Sequence, residues 1–120
     1  MSYQDDSIDW QIIRYVDNWL DEELPDYYKE QPLAQDWARI SKVIEELGEA
    51  VSAMIGATGQ NPRKGATHHR DDILKELMDV VMTGLLAVQH FTKDTNATRE
   101  ILREKQTFIY RRMMDLEEKK

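Results

Sequence analysis

Hydrophobic residues in this chain recur at helical rather than strand spacing, most densely in DDILKELMDVVMTGLLAVQHF, from Asp71 to Phe91. At about 100° per residue, Asp72, Glu76, Asp79 and Thr83 fall on one narrow seam. Ile73, Leu74, Leu77, Met78, Val81, Leu85 and Leu86 occupy much of the remaining circumference. A helix apolar nearly all round is ordinarily buried, so its carboxylates are expected to be carried inside with it. Buried like charges repel and are costly in low dielectric, and a bound cation supplies the missing partner. Carboxylate oxygens suit a small hard ion, magnesium before manganese.

Three further helices follow from the same periodicity. In residues 8–20, Ile8, Ile12, Tyr15, Val16 and Leu20 mark a short amphipathic helix with Trp10 and Trp19 as packing residues. Pro25 closes the segment after it, because the residue before a proline is pushed out of the α region. A second helix opens near Gln31 or Pro32 and runs to about Ile55. Its Leu33, Trp37, Ile40, Ile44, Leu47, Val51 and Met54 alternate steps of four and three, the spacing of a bundle seam. Glu45, Glu46 and Glu49 lie on its flank and back, with Lys42 one turn earlier and Ala50, Ala53 and Ala57 beyond, small enough for another helix to approach. The last helix covers roughly 97–117 after a cap at Thr95 or Asn96, and turns Ile101, Leu102, Phe108, Ile109, Met113 and Leu116 inward. The expectation is an all-α, four-helix bundle in a single domain spanning 1–120.

The one long connector, residues 56–70, reads GATGQNPRKGATHHR. Its glycines and proline break helical periodicity. Arg63, Lys64 and Arg70 are notable in an acidic chain; they fit either a solvated connector or a phosphate clamp. His68 and His69 read as exposed loop residues.

Composition narrows the partners. A formal net charge of −7 argues against nucleic-acid polymers and anionic membranes as main partners. The absence of cysteine excludes disulfides, thiolate zinc sites and thiol nucleophiles. Acids near the start, Asp5 and Asp6, stand where a secretory signal carries basic residues, and no apolar run approaches 18 residues. A soluble, cytoplasmic protein is expected.

Glu46 and Glu49 in IEELGEA and Glu76 and Asp79 in LKELMDVV form two i, i+3 pairs on consecutive helices, each pair sharing a helix face. Two packed helices can converge these four groups on one or two ions. KVIEELGEA followed by KELMDVV resembles the EExxE…ExxD signature of the MazG-like all-α nucleoside triphosphate pyrophosphohydrolases, over about residues 33–91. GQNPRKG is similar to the loop of one MazG-like variant. The resemblance implies Glu46, Glu49, Glu76 and Asp79 as magnesium ligands, and Glu45 as a further ligand or a base for the attacking water. It also implies Lys42 near the phosphates, cleavage of (d)NTP to (d)NMP and pyrophosphate, and assembly as a homodimer or homotetramer. Arg63 and Lys64 are candidates to close over the phosphates. Trp37 is a core residue or, alternatively, a stacking surface for the nucleobase. Unlike the dimeric dUTPases of the superfamily, the chain is short, with a single copy of the motif.

Two other readings compete. A carboxylate-bridged di-iron or di-manganese bundle calls for Glu-x-x-His pairs, which neither acidic pair provides. A non-catalytic bundle with a degenerate acidic seam would serve as an interaction module.

Overall fold

The computed structural model describes residues 7–120; Asp5 and Asp6, invoked above against a secretory signal, lie outside them. The described residues are helical with no strand. In order come α1 (Trp10–Glu23), α2 (Asp26–Lys29), α3 (Pro32–Thr58), α4 (Arg70–Thr92) and α5 (Thr95–Glu118). The short α2, a single turn after Pro25, is additional to the four helices read from periodicity. No helix among these residues is long and apolar enough to cross a membrane.

Local chemistry sets the helix ends. Asp9 caps α1 by accepting from the Gln11 and Ile12 amides, and α1 continues through Asp21 to Glu23 rather than closing at Leu20. Pro32 begins α3 where no intrahelical N–H is needed. The helix passes through Gly56 and ends at Gly59, whose φ of 65° is the left-handed cap glycine adopts without strain. Asp94, not Thr95 or Asn96, caps α5 by accepting from the Asn96 and Ala97 amides.

The central contact is between α3 and α4. Asp36 meets His90, Arg39 meets the Leu86 carbonyl, and Gly56 meets Thr67 and His68, so the two helices run antiparallel. The face α3 gives to α4 carries Arg39, Glu46, Ala50, Ala53 and Gly56, all buried. Small residues allow a neighbouring backbone to come close, and α4 docks there.

The expected seam is on the other side. Leu33, Trp37, Ile40, Ile44, Leu47, Val51 and Met54 are exposed, Ile44 by 68% and Trp37 by 62%. On α4, Leu74, Leu77, Met78, Val81 and Met82 are exposed too, as is Trp19 on α1. The inward residues expected of α5 also face outward except for half-buried Leu102; from residue 103 onward that helix is exposed throughout. Ile13, Ala50 and Ala53 are the buried apolar residues among those described. The chain is accordingly open: its radius of gyration is 18.2 Å, against about 14 Å for a compact domain of this length. Its accessible surface is 9748 Å², against roughly 6,700 Å² for a compact monomer of this mass.

Candidate metal centre

The antiparallel pairing of α3 and α4 sets Glu46 and Glu49 opposite Glu76. Each offers a carboxylate oxygen within 4.8 Å of the other two. Glu46 is buried against α4, with its side chain 12% exposed; Glu76 is half-buried and Glu49 is at the open side. Lys42 approaches from one turn earlier, its Nζ 3.4 Å from Glu46 Oε1 and 3.2 Å from Glu45 Oε1. The hydrogen bond to Glu45 is the main cause that holds the Lys42 ammonium above its ordinary range, against the cost of desolvation and with help from Glu46.

Glu46 Oε2 and Glu76 Oε2 are both buried with no hydrogen-bond partner. Buried polar oxygens in native proteins nearly always have one, so two orphans in one acidic group mark a position where a cation fits. Three hard oxygen donors match magnesium or manganese chemistry.

The other predicted site residues are placed differently. Asp79 does not join the three-carboxylate group: it is exposed, about 60° round α4 from Glu76 by helix geometry, which tips it to the rim. Glu45 is 59% exposed and engaged by Lys42. Trp37 is on the far side of α3 from Glu46, half a turn away by the same geometry, and is exposed rather than in the core. Arg63 and Lys64 stand in the connector after Gly59, where the Asn61 carboxamide accepts from the Arg63 amide. Asp72 serves α4 at its start, accepting from the His69 amide at 2.8 Å.

A second acidic group escaped the sequence reading. Asp17 and Asp21 of α1 and His90 of α4 also offer close ligand atoms, but protein cations are already there. Arg39 Nη2 donates to Asp17 Oδ1 and Asp21 Oδ1, both at 2.9 Å. Lys93 Nζ donates to both Asp17 oxygens at 3.0 Å and to Asp21 Oδ2 at 2.6 Å. His90 Nε2 is 2.8 Å from Asp36 Oδ1. Burial pushes the Asp21 carboxyl up, yet the hydrogen bonds and charges of Lys93 and Arg39 outweigh it and hold the group below its usual range. The signal was available: Asp17 follows Ile13 by four residues on the buried stripe of α1, and an acid at such a position calls for a partner.

Compared with known proteins, the chain matches no family model, no curated protein and no solved structure.

Proposed function

We propose that this protein is a magnesium-dependent nucleoside triphosphate pyrophosphohydrolase of the MazG-like kind, converting (d)NTP and water to (d)NMP and pyrophosphate. The observation that carries the reading is the pair of buried, unpartnered oxygens of Glu46 and Glu76 within a three-carboxylate group that Glu49 completes. A divalent ion bound there would supply charge neutralisation and polarisation to the polyphosphate. Glu46 and Glu76 hold it from the walls between the helices. Glu49, on the open side, would complete the ligand set next to the incoming substrate, and Asp79 would add a carboxylate at the rim. Lys42 stays protonated beside the site and offers its ammonium to the phosphates. The bridge between the α- and β-phosphorus breaks; the water oxygen ends on one fragment, and its protons pass to the product phosphates and solvent.

The reading includes self-association. The surface exceeds that of a compact monomer by about 3,000 Å² per chain, more than the roughly 1,000–2,500 Å² each partner commonly buries in an obligate interface, and the α3 stripe from Leu33 to Met54 is the apolar face to cover. A second copy of the chain is the occupant, completing a four-helix core that one copy leaves open. Sedimentation showing a monomer at micromolar concentration refutes this part.

A panel of canonical and modified triphosphates with magnesium tests the activity. Pyrophosphate is the expected inorganic product, and Glu76→Gln is expected to lower turnover at least a hundredfold with helicity intact. Orthophosphate as the initial product overturns the cleavage pattern. No turnover of any triphosphate by protein that binds magnesium overturns the enzyme reading and leaves an interaction module.

A further inference from the structure

Beyond the carboxylates, the connector between α3 and α4 folds back onto α3 and encloses a recess of about 210 Å³. Ser52 of α3 and Asn61, Lys64, Thr67 and His68 of the connector supply its polar lining. Two features show that the connector is seated. The Gly56 carbonyl accepts from the Thr67 amide at 2.9 Å and from the His68 amide at 3.4 Å. A Cβ at Gly56 would stand 2.6 Å from the Thr67 hydroxyl and overlap the His68 ring. Glycine is therefore required at 56 for the connector to sit this close, even though the residue is inside a helix, where glycine costs about 1 kcal/mol relative to alanine.

The seating also orients the imidazole. Thr67 Oγ1 is 2.9 Å from His68 Nδ1, which leaves Nε2 as the ring nitrogen available to a ligand. The recess thus gathers the Lys64 ammonium, the Asn61 carboxamide, the Ser52 hydroxyl and the His68 Nε2, each capable of donating to phosphate oxygens, while the Thr67 hydroxyl is engaged with His68 Nδ1. Residues 59–70 contain Arg63, Lys64 and Arg70 and no acid, in a chain of net charge −7, so the connector itself is basic, with Asp71 and Asp72 following it in the first turn of α4. Its position fits the first site. Ser52 and Gly56 follow Glu49 by three and seven residues on the same side of α3, a rise of about 5 to 10 Å.

We propose that this recess is the subsite for the terminal phosphates of the triphosphate, the part that departs as pyrophosphate, with Lys64 and His68 as its principal contacts. The assignment rests on the pyrophosphohydrolase reading for its substrate, but the anion site itself can be tested without turnover. The carboxylate group binds the ion; the recess binds the charge beyond it.

The test is an NMR titration of the protein with inorganic pyrophosphate in EDTA, so that no divalent ion bridges ligand and glutamates. The His68 ring and the Lys64 and Thr67 amide signals are expected to shift and saturate at millimolar ligand. Lys64→Met, a change at an exposed side chain, is expected to weaken this binding at least fivefold. Gly56→Ala should displace His68 and give a comparable loss, while Glu76→Gln should leave the titration unchanged. Unmoved His68 signals, or equal binding by Lys64→Met, overturn the proposal whether or not triphosphates are hydrolysed. A saturating response in protein that hydrolyses no triphosphate keeps the anion site and removes the enzyme.

Discussion

Asp17 and Asp21 share their niche with Arg39 and Lys93, whereas Glu46, Glu49 and Glu76 face one another across α3 and α4 with Lys42 alone at their edge. Both groups bring ligand atoms from two helices within reach of one another, Asp17 and Asp21 of α1 with His90 of α4 in the first and glutamates of α3 and α4 in the second, and both have a buried member. They differ in what neutralises the charge. In the first group five donor contacts from Arg39 and Lys93 occupy the Asp17 and Asp21 oxygens, and the buried atom left without a partner is a ring nitrogen, His90 Nδ1; in the second, two buried carboxylate oxygens have no donor. Desolvating a carboxylate costs several kcal/mol unless a charge or donors compensate. The closed group is a clasp joining α1 to the α3–α4 pair, and the open group has no protein donor on its two buried oxygens.

The largest test of this contrast is Arg39→Met. Arg39 is buried and Asp17 is 1% exposed, so the substitution leaves a buried carboxylate with only Lys93, which is itself 45% exposed. Removing one member of a buried pair costs about 3–5 kcal/mol. The measurement is urea denaturation at fixed protein concentration, since association contributes to apparent stability. A loss below about 1 kcal/mol would show that Lys93 and water suffice, and the clasp would be a surface pair like any other.

The open group should respond in the opposite sense. In EDTA, Glu76→Gln removes like-charge repulsion and is expected to match or exceed the wild type in thermal stability. Magnesium at ten times its dissociation constant should stabilise the wild type by about 1.4 kcal/mol through mass action, a rise of about 5 °C for a domain of this size. Glu76→Gln should lose that rise, and Asp21→Asn, although less stable overall, should retain it. If magnesium raises the melting temperature of the Glu76→Gln protein as much as the wild type, the ion binds elsewhere and the contrast fails.

Much of this arrangement was readable from the chain, for identifiable reasons. Helix periodicity is local, so the four long helices emerged with ends displaced by a few residues, and Gly59 rather than Gly56 terminates α3. The pairing of Glu46 and Glu49 with Glu76 needed only i, i+3 spacing on consecutive helices. Asp79 lies outside that group and is exposed, so i, i+3 spacing brought in both glutamates of α3 but only one acid of α4; spacing alone does not tell which pair turns fully into the contact. The inward or outward sense of the α3 stripe was not readable. Periodicity shows that Leu33 to Met54 share a face, but which face meets α4 was decided by small residues and by Arg39, whose partners on α1 are 18 and 22 residues away in sequence. The alternation of large apolar and small polar faces looks the same whether the large face is covered within one chain or by another.

Lys42 gives the smallest effect and the finest discrimination, because it is the cation nearest the open group yet does not close it. Its side chain is 50% exposed, so its ion pairs are screened and Lys42→Met should change stability at neutral pH by no more than about 0.5 kcal/mol. The sign with pH follows from its raised pKa. Its contribution is complete below the unfolded value, near 10.5, and is lost as pH rises through the folded one, so the small difference from Lys42→Met should vanish only in strong alkali. Ion binding should move the other way. The ammonium competes for Glu46 Oε1, and calorimetry with magnesium should find Lys42→Met tighter by about two- to fivefold, equivalent to about 0.4–1 kcal/mol. Weaker magnesium binding by that variant would mean that Lys42 holds Glu46 in place, which would make the open group a second clasp whose partner is simply more exposed.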